Sequence, residues 1–273
     1  MGCNPTVYQA PIYDNKAKLN CPKRISAYHS CVPFPFMKIQ LLCALLLTAL
    51  TGCASPQHAT DKKIKVLVLT GNHSFRAAPF FQMFQDNPEI TFANGKDVKA
   101  AEGYDRADLF SYDVVVLYDV PPGMTDAEKA RFLALFDKGT GLVVLNHSYL
   151  SCPSWPEFGR ITGGRYIYQG QQITNGVTES VCKHHAKIPV TVVAGNHPIT
   201  AGMTDFVIAD ELYSNMDMAG NSTPLLKTGD EWVAWYRTEK NSRIVGTILG
   251  DDCYADPNFQ KLVAQSIRWA AKR

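Results

Sequence analysis

Ile64-Lys65-Val66-Leu67-Val68-Leu69-Thr70-Gly71-Asn72-His73 is the stretch whose reading decides the fold. A short apolar run rich in branched residues and closed by glycine predicts an interior strand, with a sharp turn above its carboxyl end. Two further runs share this character, Asp113-Val114-Val115-Val116-Leu117-Tyr118-Asp119 and Gly141-Leu142-Val143-Val144-Leu145-Asn146-His147. Between them Thr125-Asp126-Ala127-Glu128 has the pattern of a capping box, opening a helix to about Asp137 that Gly139 can terminate. Strand, crossover helix and strand in this order imply an α/β domain whose mainly parallel central sheet is covered on both faces.

Working outward, Pro79 to Gln85 predicts a helix with Phe80, Phe81 and Phe84 on its apolar face, and Ile90 to Ala93 a strand. Later strands are expected at Ile188 to Val193, Trp232 to Tyr236 and Arg243 to Leu249, the last two joined by a turn at Asn241-Ser242. Pro257 to Ala271 reads as a closing helix: proline suits its first turn, and Phe259, Leu262, Val263, Ile267 and Ala270 recur at helical spacing. Positions 148–186 are irregular, and no repeat or low-complexity segment is present.

The chain before this domain reads differently. From Met37 a short basic region precedes the apolar run 41–50 and then Leu50-Thr51-Gly52-Cys53, the order expected of a lipoprotein signal peptide over 37–52. Cleavage would leave Cys53 as a lipidated first residue on a polar tether to position 63. That places the domain, 64–273, at the bacterial cell envelope, anchored to the membrane and facing the periplasm or exterior. Positions 1–36 lack apolar periodicity and predict no folded unit, as expected of an upstream extension that is not native to the product.

The whole chain carries 27 basic and 25 acidic residues; positions 1–52 hold five of the former and one of the latter, so the remainder has 22 against 24. A nearly neutral product argues against nucleic acid as a partner. Of eight cysteines, Cys152, Cys182 and Cys253 fall in the domain, too far apart in sequence for a C-x-x-C pair.

Ligands of parallel α/β sheets bind beyond the carboxyl ends of the strands. Asn72-His73, Asp119 and Asn146-His147-Ser148 all fall there. Two histidines at one edge can share proton transfer near neutral pH. His184, His185 and His197, with Asp210-Glu211, form a second group of residue types adequate for a divalent metal, although their spacing matches no established metal motif. No G-x-S-x-G elbow occurs, and the flanks of Cys152 lack the glycines that would relieve such a turn. The paired glycines at 163–164 complete no phosphate-binding loop, so no nucleotide cofactor is expected. Trp155, Tyr166, Tyr168, Tyr213, Trp232, Trp235 and Tyr236 could include sugar-stacking platforms, although most buried tryptophans belong to cores.

Taken in order, these segments resemble the ThuA-like family, named for trehalose utilisation. The residues carrying the resemblance run from Val66 to His73 and Gly139 to His147, through Trp155-Pro156-Glu157-Phe158 and Gly163-Gly164. They continue with His197-Pro198-Ile199-Thr200-Ala201-Gly202, Asp210-Glu211-Leu212-Tyr213, Arg243 to Gly250 and Ile267-Arg268-Trp269-Ala270. The resemblance implies a flavodoxin-like three-layer domain related to class I glutamine amidotransferases. No counterpart of the amidotransferase nucleophile is evident, and Gly250-Asp251 stands where the family commonly has glycine-histidine.

The resemblance also implies a small carbohydrate substrate, including keto-sugars and 3-keto-glycosides. For such a substrate the residues suggest His147 as base, His73 as polariser and Glu211 as an orienting or ligating group. Asn72, Asp119, Asn146, Trp155, His197, Tyr213 and Asp251 are expected to bind substrate. The competing expectation is a surface carbohydrate-binding protein without catalysis. The sequence sets neither the metal nor the oligomeric state.

Overall fold

The computed structural model describes residues 62–95, 102–171 and 179–273. The proposed signal peptide, Cys53 and most of the tether lie outside the described residues. Among the described residues no helix is long and apolar enough to cross a membrane.

The chain runs β1 (Ile64–Gly71), α1 (Ala77–Gln85), β2 (Ile90–Gly95), β3 (Val114–Asp119), α2 (Asp126–Lys138), β4 (Gly141–Leu145), α3 (Pro156–Thr162) and β5 (Gly164–Arg165). It continues through β6 (Val181–Val192), β7 (Phe206–Ser214), β8 (Asp217–Met218), β9 (Thr223–Thr228), β10 (Glu231–Glu239), β11 (Ser242–Thr247) and α4 (Pro257–Ala270). Nine strands form one sheet in the order β2-β1-β3-β4-β11-β10-β9-β6-β7, while β5 and β8 make a separate ribbon. The five strands from β2 to β11 are parallel to their neighbours, in registers such as Val66 with Val114 and Ile244 with Leu142. From β11 outward every pairing is antiparallel.

The parallel half is a flavodoxin-like three-layer α/β arrangement. The β1–β2 and β3–β4 connections run in opposite directions along the sheet, so right-handed crossovers place α1 and α2 on opposite faces. Phe80 of α1 stacks on Tyr118 at 4.3 Å and meets Tyr254, and Arg268 of α4 pairs with Glu89 beyond α1. On the other face Phe132 of α2 packs on Phe158 of α3. Burial on both sides explains the unbroken apolar runs: all of Val114 to Tyr118 has no exposed surface. The helix ends follow their sequence signals. Thr125 and Glu128 cap α2 reciprocally, and Gly139 ends it in the left-handed conformation at φ 78°.

Two departures concern the antiparallel half. The strand expected at 188–193 is the inner part of a longer β6, and β7 and β9 lack a counterpart in the sequence expectation. β7 is hidden because its buried positions include the successive polar residues Asp210 and Glu211, which break the apolar alternation by which a half-buried strand is recognised.

Candidate functional site

Above the carboxyl ends of β1, β3, β4 and β11, the turns converge on two histidine rings. His73 follows β1 after Asn72, which takes a left-handed φ of 60°. Its Nε2 donates to the Tyr118 carbonyl at 2.7 Å, fixing the tautomer and leaving Nδ1 buried with no hydrogen-bond partner. His147 follows β4 in a 3-10 turn, its ring 4.7 Å from that of His73. His147 Nε2 faces Glu211 Oε2 at 3.3 Å and Asp251 Oδ1 at 3.8 Å, while its Nδ1 is also buried and unpartnered.

The electrostatics follow from this crowding. Burial, and then the adjacent His73, lower the His147 pKa to about 4, more than Glu211 raises it. Burial likewise lowers that of His73. The facing pair is therefore neutral at neutral pH. Burial, reinforced by the Glu211, Asp210 and Asp252 carboxylates, pushes Asp251 up to about 6.

Glu211 and Asp210 are neighbours on β7 with different tasks. Asp210 accepts the backbone N–H groups of Gly250, Asp251 and Asp252 at 2.7, 3.1 and 3.2 Å, and the Cys253 thiol at 3.0 Å. It thereby holds the turn that presents Asp251. Tyr118 donates its hydroxyl to the Gly250 carbonyl on the same turn, and Arg76 pairs with Asp252 at the surface. Glu211, only 1% exposed, points to the histidines: Oε2 faces His147, and Oε1 accepts from the Cys182 thiol at 2.9 Å and lies 2.7 Å from His184 Nδ1.

The structure thus brings His73, His147, Glu211 and Asp251 together, with the Tyr213 ring 6.4 Å from that of His147. Asp251 occupies the place beside His147 that follows the glycine of the late strand. Asn72 is an exposed residue of the first turn, adjoining His73.

Other expected site residues serve elsewhere. His197 caps a 3-10 turn through Nδ1 to the Ile199 N–H and stacks on Tyr236 at 4.3 Å, a packing role outside the cluster. Trp155 packs on Phe132 and Phe158 with Lys129 over its ring, bracing α2 against α3. Asn146 is fully buried and donates to the Ile248 carbonyl at 2.8 Å, tying the end of β4 to the segment after β11. Asp119 is buried next to Tyr104 and Cys152, where burial pushes its pKa up to about 7. Cys152 is itself buried and raised to about 12, so it is no thiolate near neutral pH.

Cys182 escaped the sequence reading; its place opposite Tyr213 is a matter of pairing. The available signal was the run Cys182-Lys183-His184-His185, whose metal-binding residue types become useful once Glu211 lies on the adjacent strand. A cavity of about 410 Å³ beside the β5–β8 ribbon, lined by residues including Arg160, Arg165 and Asp217, contains no histidine. Its charges are neutralised by pairing, Arg165 with Asp217 and Arg160 with Glu157 and Glu239, which makes the histidine cluster the stronger candidate.

Residues 65–270 match the family model for ThuA, described as trehalose utilisation. Among solved structures, a ThuA-like protein from Parabacteroides merdae superposes with a TM-score of 0.65 at 20% identity, covering 77% of this chain and 90% of that one. A ThuA-like protein from Bacteroides uniformis gives 0.55 at 19% identity, over 78% and 93%. A cytoplasmic protein from Salmonella typhimurium gives 0.54 at 12%, over 76% and 98%. These likenesses establish the shared fold. No curated protein matches.

Proposed function

Taking as premise that the chain belongs to the ThuA family of trehalose utilisation, and so has a carbohydrate-related role, we propose that it processes keto-sugars or 3-keto-glycosides by proton abstraction. The observation that carries this reading is the buried His147, held neutral near neutral pH with its Nε2 3.3 Å from the Glu211 carboxylate and 3.8 Å from that of Asp251.

A ketone at C3 acidifies the C2 hydrogen. His147 takes that proton, and the imidazolium is stabilised by the neighbouring Glu211 carboxylate. The C2 electron pair forms the C1=C2 bond as the C1–O bond breaks. Asp251, raised to about 6, is the group able to protonate the departing oxygen. Addition of water to the resulting enone completes a net hydrolysis. His73 cannot act as a polariser in its neutral form, because its Nε2 hydrogen is committed to Tyr118. It is better suited to share the proton with the facing ring.

The test is product analysis by mass spectrometry with 3-keto-trehalose and trehalose. Elimination or hydrolysis of the keto form is expected, falling about 10²–10⁴-fold in His147→Ala. kcat/KM should rise through about pH 4 as His147 becomes neutral and fall above about pH 6 as Asp251 ionises. Saturable sugar binding without chemical change would instead support the carbohydrate-binding alternative.

A further inference from the structure

β6 carries an irregularity that the proton-transfer cluster does not require. Its register against β7 runs Ala186 with Asp210 and then Lys183 with Leu212, so His184 and His185 together oppose Glu211. This is a bulge, with His185 in the left-handed region at φ 51°. Bulges re-aim side chains, and this one brings His184 Nδ1 to within 2.7 Å of Glu211 Oε1. Cys182 Sγ reaches the same oxygen at 2.9 Å and lies 3.7 Å from His184 Nε2. One ligand-capable atom from each of the three residues falls within 4.8 Å of the other two.

We propose that Cys182 Sγ, His184 Nδ1 and Glu211 Oε1 bind a zinc-like divalent cation on the rim of the histidine cluster.

Three observations favour a cation. The carboxylate is almost fully buried, and among the described residues no lysine or arginine pairs with it or with Asp251. Buried carboxylates are paired or coordinate metals, and this one is surrounded by imidazole and thiol groups that are themselves metal ligands. Thiolate, imidazole and carboxylate together are the donor chemistry of zinc and its neighbours rather than of magnesium or calcium. Finally, the side chain of His184 is 60% exposed, so an ion can enter from solvent and keep a fourth position open.

In the cation-free arrangement the thiol hydrogen bond holds sulfur and carboxylate together. On binding, the S–H bond breaks, the proton passes to solvent and a sulfur lone pair binds the metal. Donors around a tetrahedral zinc stand roughly 3.3–3.8 Å apart, so Cys182 and His184 need only draw back slightly from Glu211. Charge then balances: thiolate and carboxylate neutralise the ion. Glu211 Oε2 remains facing His147, making the carboxylate a shared element of the two clusters.

The site stands independently of the sugar chemistry proposed above. The probe is cobalt(II) chloride titrated into the full chain. We expect a near-ultraviolet sulfur-to-cobalt charge-transfer band that saturates with one ion per chain. The wild-type minus Cys182→Ser difference removes contributions from cysteines outside the site. The band should vanish in Cys182→Ser, with cobalt affinity falling roughly 100-fold or more, beyond the loss usual for a group that only supports a ligand.

His184→Gln provides the same comparison at an exposed position, and circular dichroism reports folding of both variants. A difference spectrum without the band, or cobalt bound equally well by wild type and both variants, would overturn the proposal. A persistent band in protein inactive on 3-keto-trehalose would leave the cation site standing and remove only the sugar reading.

Discussion

The two halves of the sheet make unequal contributions. In the parallel half, from β2 to β11, the strands are sealed on both faces and functional groups stand on turns beyond their carboxyl ends. In the antiparallel half the outer strands are partly open to solvent, with Val181 and Val207 more than half exposed, and the functional groups lie within the strands themselves. The parallel half supplies the facing rings of His73 and His147. The antiparallel half supplies Glu211, which lies beside His147, and its neighbours Asp210, Cys182 and His184. A site spanning both can have a rigid floor and one wall whose strands are less deeply packed.

That contrast can be broken most severely from the inside. Asp119 is buried at the end of β3 with its folded pKa near 7, well above the ordinary value of 3.8. Between those values the unfolded chain has released its proton while the folded one retains it, so stability falls as pH rises from about 4 to about 7. The loss is on the order of 4 kcal/mol, fully present above pH 7. Urea unfolding at pH 4 and pH 8 should show this spread in wild type and lose most of it in Asp119→Asn. An equal spread in the variant would show that Asp119 is solvated.

The seam between the halves is the next test. Asp210→Asn removes the charge that gathers three backbone N–H groups and should cost about 2 kcal/mol. Faster hydrogen exchange at Gly250, Asp251 and Asp252 should accompany it, with the interior of β1 unchanged. At the outer edge Val207→Thr should change stability by no more than about 0.5 kcal/mol. A larger cost there would show that β7 is covered by something other than solvent.

The same contrast governs what could be read from sequence. Ile64 to Gly71, Val114 to Asp119 and Gly141 to Leu145 announce themselves because burial on both faces demands continuous apolar runs. With the strand ends located, the positions of His73 and His147 beyond them follow. Glu211 was recognised as a residue type suited to chemistry, but its strand was not, because Asp210 and Glu211 interrupt the very pattern that marks one. His197 shows the converse: its sequence neighbours suggest a shared site, whereas its stacking on Tyr236 consumes it in packing. Cys182 and His184 depend on a pairing register that local periodicity does not encode.

The bulge in β6 also changes the strand's parity. Cys182 pairs with Tyr213, whereas Ala186 pairs with Asp210, and Asp210 and Tyr213 are an odd number of residues apart on an uninterrupted strand. Pleating therefore directs them to opposite faces. Cys182 and Ala186, both even-numbered, would share a face on a regular strand; the extra residue separates them. The inner segment can keep Ala186, Ile188 and Val190 against the core while the outer segment turns Cys182 toward Glu211. β6 is thus written in two frames, and the surplus residue at 184–185 is the shift between them.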